Sequence, residues 1–323
     1  MPEEIFLVEP TDYTRNRIIA QLLDGLELKR IKIMPCFKKK EFLSNFSRRK
    51  FILNDFFVST YDSEVKDRQE VAKCSLRALK FYAADLVNFR FSRYLLSDTG
   101  AHLKYWTELF GRTRARTFVL PILANTEIYQ PLPRIQTNGS TLRLLFFGTF
   151  IPLHGLDVIV RAMKRLKEKN LDIKAKLIGR GQTFPEMVEL IKKLQLEDMV
   201  MVTGEGVSQP ELVVEMDQAD LVLGIFGSSR KARSVVPNKA YEAMACRKCL
   251  VTMRSEAMDE FFSGDDACLV DNNPAALASA IEELHRDRAR IDHLAEHGYK
   301  TFQALYERTR QEFRQFVREI DAA

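Results

Sequence analysis

The residues best able to do chemistry lie close together in one stretch of the second half, 227–245. A basic cluster, Arg230, Lys231 and Arg233, is followed by Ser234, Pro237, Asn238, Lys239 and Glu242. Pro237 stands just before an apolar-periodic run, so a helix is expected to begin there with Asn238 as its cap. Lys239 then falls in the first turn, beside the positive end of the helix dipole. A cation in that place opposes the dipole unless an anion is bound. Glu242, three residues on, shares a face with Lys239. The pair offers a cation for a diphosphate and a carboxylate for vicinal sugar hydroxyls. A plain surface ion pair would use the same spacing and contribute only a few tenths of a kcal/mol.

Such residues need a scaffold that brings strand ends and helix starts together. The second half supplies one. Strands are expected at 142–147, 173–178, 199–203, 221–225 and 249–253, and helices at 185–194, 209–218, 238–245 and 274–284. A further helix after the first strand places Val158, Ile159, Ala162, Met163 and Leu166 on one side. Strict β/α alternation implies a parallel sheet covered on both faces, a doubly wound, Rossmann-like domain. In that architecture ligands bind at the carboxyl ends of the strands. Gly148, Thr149, His154 and Gly155 follow the first strand, and Gly179-Arg-Gly181 follows the second. Backbone N–H groups at the helix that Gly155 opens can face an anion. Both loops read equally as tight turns.

The first half alternates less regularly. Strands are expected at 5–8, 31–34, 51–58 and 117–120, with a short one at 86–89 or 94–96. Helices are expected at 16–24, stopped by Gly25, and at 71–84 and 100–110. The stretch between Met34 and Phe51 looks too short for a full β-α-β passage. Pro131, Pro133, Asn138 and Gly139 mark a linker within 128–140. A long helical pattern runs over 288–320, and its Arg308, Arg310, Arg314 and Arg318 could rest on an anionic membrane or simply be solvated.

Composition narrows the classes. The 323 residues suit two domains, and 46% apolar with 29% charged residues excludes wholesale disorder. The longest apolar runs, 144–147 and 221–226, are far short of a bilayer span. The N-terminus shows no secretion signal. Five cysteines without repeating spacing suggest a reduced, cytoplasmic protein, and the lone Cys246-x-x-Cys249 pair is weak evidence for zinc. His293 and His297 lack the following glutamate of a metalloprotease helix, so a solvated helix face is the better reading. His102 reads as structural. The net charge of +5 comes with local basic clusters, but aromatics do not interleave with them, which argues against nucleic acid.

Four segments in register carry a more specific likeness: Phe147-Gly-Thr-Phe-Ile-Pro-Leu-His-Gly155, Ile178-Gly-Arg-Gly181, Ala219-Asp-Leu-Val-Leu-Gly-Ile-Phe-Gly227 and Val236-Pro-Asn-Lys-Ala-Tyr-Glu-Ala-Met-Ala245. In order and spacing they resemble the motifs of family-4-like GT-B glycosyltransferases, the group 1 glycosyl transferases, over roughly 142–284. Upstream, 51–68 and 84–123, with Asp55, Tyr61, Asp62 and Ser97-Asp-Thr-Gly-Ala-His102, resemble the acceptor domain.

The resemblance implies two Rossmann-like domains with parallel sheets facing a cleft. These are an abridged acceptor-side domain over 1–135, a nucleotide-sugar domain over 141–290, and a C-terminal helix, 291–323, crossing back to the first. It implies metal-independent glycosyl transfer from a UDP- or GDP-sugar to a glycan or lipid-linked acceptor hydroxyl, in cell-surface polysaccharide or glycoconjugate synthesis, at or near the inner face of the membrane. Glu242 matches the second glutamate of the family's E-x7-E signature, which holds the ribose; the first falls at Ser234. The arginine and lysine that clamp the diphosphate fall near Thr149 and His154, so Lys239, Arg230 and Lys231 are the expected substitutes. The donor site expected from this likeness comprises Gly148, Thr149, His154, Gly155, Gly179, Gly181, Arg230, Lys231, Ser234, Asn238, Lys239 and Glu242. Asp55 and Asp62 are candidates for acceptor binding or general-base work, with capping and turn formation as the alternative for each. The departures also admit a non-catalytic relative that binds a nucleotide sugar or a protein partner, or an epimerase acting on a nucleotide sugar.

Overall fold

A computed structural model describes residues 14–36, 38–133 and 140–323. The expected strand at 5–8 and part of the expected linker lie outside these. The chain divides into two compact units: Met1–Leu123 with Ser234–Val236 and Tyr306–Ala323, and Ala124–Arg233 with Pro237–Leu305.

Unit 1 is built from α1 (Thr14–Leu23), β1 (Lys32–Met34), α2 (Lys39–Ser44), β2 (Ile52–Asp55), α3 (Leu76–Phe91), β3 (Tyr94–Ser97), α4 (Gly100–Phe110) and β4 (Arg116–Val119). The four strands pair in parallel in the order β1-β2-β3-β4. One expectation is corrected here. The segment between β1 and β2 does carry a full crossover, because α2 and the 3-10 turn Phe46–Phe51 return the chain to parallel register. About a dozen residues suffice for such a crossover. A second correction concerns 86–89, which is helical, so the short strand is β3. Helix α3 itself begins at Leu76 rather than near Val71, where the Ser75 side chain accepts from the Ala78 N–H.

Aromatic packing closes this unit. Phe56 meets Trp106 edge-on at 5.7 Å and Phe110 at 6.0 Å, with Phe89 on its other side at 5.4 Å. The last turns of α12 (Arg288–Ala322) belong to the same unit. Phe118 lies against Phe313 and Phe316 at 5.4 and 5.1 Å, and Asp321 accepts from the backbone N–H groups of Lys29, Arg30 and Ile31.

Unit 2 contains β5 (Leu142–Phe147), α5 (Leu156–Glu168), β6 (Ile173–Ile178), α6 (Phe184–Lys193), β7 (Val200–Val202), α7 (Gln209–Gln218), β8 (Leu221–Leu223), α8 (Arg230–Ser234), α9 (Asn238–Ala245), β9 (Cys249–Met253), α10 (Glu256–Asp259), β10 (Cys268–Val270) and α11 (Pro274–Arg286). β10 has no counterpart among the expected strands; three residues are too few to show periodicity. All strands are parallel in the order β10-β9-β8-β5-β6-β7. The chain therefore winds outward from β5 in one direction, then returns to β5 and winds the other way. The strand order reverses between β5 and β8, and a crevice opens outside their carboxyl ends.

Candidate donor site in unit 2

The site is assembled at that reversal. β5 ends in Phe146-Phe147, and Gly148 then takes φ +133, a backbone conformation side chains rarely adopt. A Cβ at Gly148 would stand 3.4 Å from both Lys239 Nζ and His154 Cε1, so the bare backbone faces these two groups. The loop closes at Gly155, which is left-handed with φ +59. A Cβ there would lie 2.2 Å from the Phe226 carbonyl oxygen. Its role is close packing of the loop after β5 on the loop after β8, secured by the Phe226 N–H donating to the His154 carbonyl at 2.9 Å. Gly179 and Gly181 follow β6. A cavity of about 540 Å³ opens beside them, lined by Gly148, Thr149, Gly179, Arg180 and Glu205.

Lys239 is the unusual group. It lies in the first turn of α9 as expected, but it is buried, and its amine has no hydrogen-bond partner among the described residues. The nitrogen sits 3.8 Å from the centroid of the Phe146 ring. Cation–π attraction alone does not replace lost hydration. Burial accordingly holds the amine well below its ordinary pKa, with the Glu242 charge pulling the other way. Glu242, one turn on, is also buried, and burial pushes its carboxyl up to about 7 against the pull of the Tyr129 hydrogen bond and of Lys239. His154 is half-buried, its Nδ1 against the Thr149 carbonyl. Burial first, and the Lys239 charge second, hold its imidazole well below 6.5. Burial thus favours the uncharged forms of all three groups.

Several expected site residues fall together: Gly148, Thr149, His154, Gly155, Lys239 and Glu242. Others do not join them. Arg230 and Lys231 lie in the short helix α8 rather than in a loop, and Arg230 pairs with Glu256 at 3.0 Å. Asn238 is the first helical residue and not the cap. Pro237, extended at ψ 151, takes the cap position, and no side chain caps the helix. Ser234 is buried at the end of α8 among the unit 1 residues, its carbonyl accepting from the Thr99 hydroxyl at 2.6 Å.

In unit 1, Asp55 ends β2 and both its oxygens are held by Arg15, at 2.8 and 2.9 Å. Arg15 also donates to the Leu120 carbonyl at 2.8 Å. Asp62 is buried in the π-helical turn Asp62–Asp67 and accepts from the Tyr105 hydroxyl. His102 pairs with Asp98 at 2.6 Å and packs on Trp106 at 4.0 Å. Among the described residues no group of three metal-ligating side chains is formed.

Two participants escaped the sequence reading. Tyr129 falls within the expected linker, yet its buried hydroxyl hydrogen-bonds Glu242. Phe146 reads as one apolar residue in a buried strand. A second cavity, about 340 Å³ along β6 and β7, is lined by Lys174 and Lys176. Lys176 is already paired with Glu215 at 2.5 Å, and Lys174 donates to the Asp198 carbonyl.

Comparison with known proteins falls on the same segment. The family described as Glycosyl transferases group 1 matches residues 141–287, which span β5 to α11. A D-inositol 3-phosphate glycosyltransferase of Pseudarthrobacter chlorophenolicus is 32% identical over 210 residues, 61% of this chain and 49% of that protein. A protein of Salmonella typhimurium named for colanic acid biosynthesis, the glycosyltransferase WcaL, is 28% identical over 163 residues, 49% of this chain and 39% of the relative. The chain thus spans about half the length of these curated relatives, or less. Among solved structures, Anabaena HepE, crystallised with UDP and glucose, superposes with a TM-score of 0.70 at 14% identity, covering 95% of this chain and 81% of that one. That likeness shows the fold: two Rossmann-like units with parallel sheets. Residues 141–287 are thus similar to the glycosyl transferases group 1, and the chain has the GT-B fold.

Proposed function

We propose that this chain transfers a sugar from a nucleotide-sugar donor to an acceptor hydroxyl, with the donor's diphosphate at Lys239 and its ribose at Glu242. The observation that carries this reading is the buried, unpartnered amine of Lys239 beside the bare backbone of Gly148. Glycosyl transfer places negative charge on the departing diphosphate while the sugar becomes cation-like. A buried lysine that gains its proton as the diphosphate arrives, with the N–H groups that open α5, stabilises that charge as it develops. Lys239 and Glu242 stand one helical turn apart, which suits neighbouring parts of one ligand.

Gly148, Thr149, His154 and Gly155 would shape the loop over the phosphates, and Gly179 and Gly181 would border it. His154, kept neutral with its Nδ1–H given to the Thr149 carbonyl, presents an accepting Nε2 where the family places a cation, so it would take a hydroxyl rather than a phosphate oxygen. Arg230 and Lys231, at the start of α8, would contribute at longer range, and Ser234 and Asn238 would position the turn. The name of the colanic acid relative favours a glycan acceptor and a place in cell-surface polysaccharide synthesis, with a small phosphorylated polyol as the acceptor class that the other relative's name suggests. HepE's bound UDP favours uridine over guanosine. In unit 1, Asp62 would be the acceptor-side carboxylate, whereas Asp55 is committed to Arg15.

Titration calorimetry with UDP and with GDP, on the wild type and on Glu242→Ala, tests the reading. Binding to one nucleotide that is lost in a folded variant supports it. A folded protein that binds neither removes the donor site and favours a non-catalytic, partner-binding relative. Consumption of a nucleotide sugar without any acceptor would point to an epimerase instead.

A further inference from the structure

Helix α3 is turned the opposite way from an ordinary surface helix. Its buried side includes Asp85 and Asn88 beside Ala78 and Phe89. Its outward side carries Leu76, 78% exposed, Leu79, 62%, and Phe91, 50%. Positions 76, 79, 83, 87 and 91 recur at helical spacing, so Ala83 and the half-buried Val87 join Leu76, Leu79 and Phe91 on one side of the helix, with Lys80 and Arg90 set among them. Leucines as exposed as these ordinarily mark a contact surface.

The surroundings indicate what the contact is. Arg77, Lys80 and Arg90 are exposed along the stripe. Asp85 is the helix's sole carboxylate, and it is buried, held by Lys39, by the Ser59 hydroxyl and by the Tyr61 N–H. Phe91 touches Phe46 at 5.9 Å, which continues the patch onto the 3-10 turn and onto α2, where Leu43 is 41% exposed. This neighbour is basic as well: Lys40, Arg48 and Lys50 are exposed, and its one carboxylate, Glu41, is engaged by Lys38 at 3.5 Å. An apolar face set and flanked with long cationic side chains, and with almost no exposed carboxylate, suits a helix lying in a membrane interface, its apolar groups among the acyl chains and its cations reaching up to the phosphates. A protein partner would more commonly be met by both signs of charge. Among the described residues no helix is long and apolar enough to cross a bilayer, so this is contact in the plane of the surface.

We propose that the outward face of α3, continued by Leu43 and the basic 38–50 segment, is the surface by which this chain lies on an anionic phospholipid bilayer. The site is distinct from the arginines of α12. One of those, Arg314, is spent on the carbonyls of Leu22 and Asp24.

The full chain is to be sedimented with vesicles of phosphatidylcholine alone and with vesicles in which about a third of the lipid is phosphatidylglycerol. Binding to the anionic vesicles, weakened by high salt, is expected. Leu76→Ser/Leu79→Ser removes apolar contact at exposed positions, and Arg77→Glu/Lys80→Glu reverses the charge. Each should lower apparent lipid affinity by ~10-fold or more, while Met201→Ser, an exposed apolar residue of unit 2, should leave it unchanged. Thermal unfolding and UDP binding monitor folding of every variant independently of lipid. No sedimentation with anionic vesicles overturns the proposal, as does equal binding by the leucine variant. Loss on Arg308→Glu/Arg310→Glu with retention in the α3 variants would place the contact on α12 instead. Self-association without lipid binding, abolished by the leucine changes, would make the stripe an interface between copies and equally overturn it.

Discussion

The Lys239 amine stands 3.8 Å from the centroid of the Phe146 ring, inside unit 2 and with no hydrogen bond among the described residues. A buried amine in that state costs stability whether it is charged or neutral, because its lost hydration is not replaced. Lys239→Met keeps the length and the contact with Phe146 and removes the polar atom. The variant is expected to unfold at the same temperature as the wild type or higher. Its UDP affinity should fall ~10-fold or more, about 1.4 kcal/mol. Scanning calorimetry and titration calorimetry read the two effects separately. A variant that is less stable but binds equally well would make Lys239 a packing residue.

Binding should also move protons. Burial holds Lys239 well below its ordinary pKa, so its amine gives up its proton at a lower pH than a free lysine does. A diphosphate beside it favours the protonated form. A measurable uptake, of up to about one proton per UDP bound, is therefore expected. Affinity should then weaken as pH rises above neutrality. Titrations in buffers of different ionisation enthalpy give the proton count directly. Uptake should vanish in Lys239→Met, and a count of zero in the wild type would mean that the amine does not meet the phosphates.

What could be read from the sequence divides along physical lines. The unit 2 sheet was legible because its central strands are short apolar runs, β6 interrupted only by Lys174 and Lys176, and because long helices such as α5 and α6 show a clear 3.6 period. Thus 142–147, 173–178, 209–218 and 249–253 coincide with the observed β5, β6, α7 and β9. Strand order followed only as a class, since pairing partners are not encoded in periodicity. Lys239 and Glu242 stood out through position on a helix start. Their burial did not, because it comes from β5 and from Tyr129, about 90 and 110 residues earlier in sequence. Unit 1 was harder. Helix α3 exposes leucines and buries Asp85, which inverts the usual pattern and shifts the apparent helix toward its N-terminus. The short α2 carries too few residues to show a period at all.

Asp55 tests the difference between a catalytic and a structural carboxylate. Arg15 and Asp55 form a buried bidentate pair, and both are almost wholly enclosed. Asp55→Ala strands the guanidinium, and it should cost about 3–5 kcal/mol in urea unfolding. The double variant Arg15→Met/Asp55→Leu removes both charges and should recover most of that loss. If the double variant also turns over substrate at the wild-type rate, Asp55 is structural. A stable double variant that binds donor but has no turnover would return Asp55 to the acceptor chemistry.

Glu242 makes a prediction about stability that needs no ligand. Its carboxyl is raised from 4.5 to about 7, chiefly by burial. The folded protein therefore binds more protons than the unfolded chain between those values. The sign follows: the stability this group contributes is fully present below pH ~4.5 and is lost as pH rises to about 7. Glu242→Gln keeps an acceptor for the Tyr129 hydroxyl but cannot ionise. Near pH ~4.5 the variant and the wild type should unfold at similar denaturant concentrations. As pH rises the variant should gain relative to the wild type, by at most roughly 3 kcal/mol, and the gain should level off above neutrality. Urea midpoints at several pH values give the curve. A constant offset across the range would mean that Glu242 ionises as freely when folded as when unfolded, and that its site is wetter than its burial suggests.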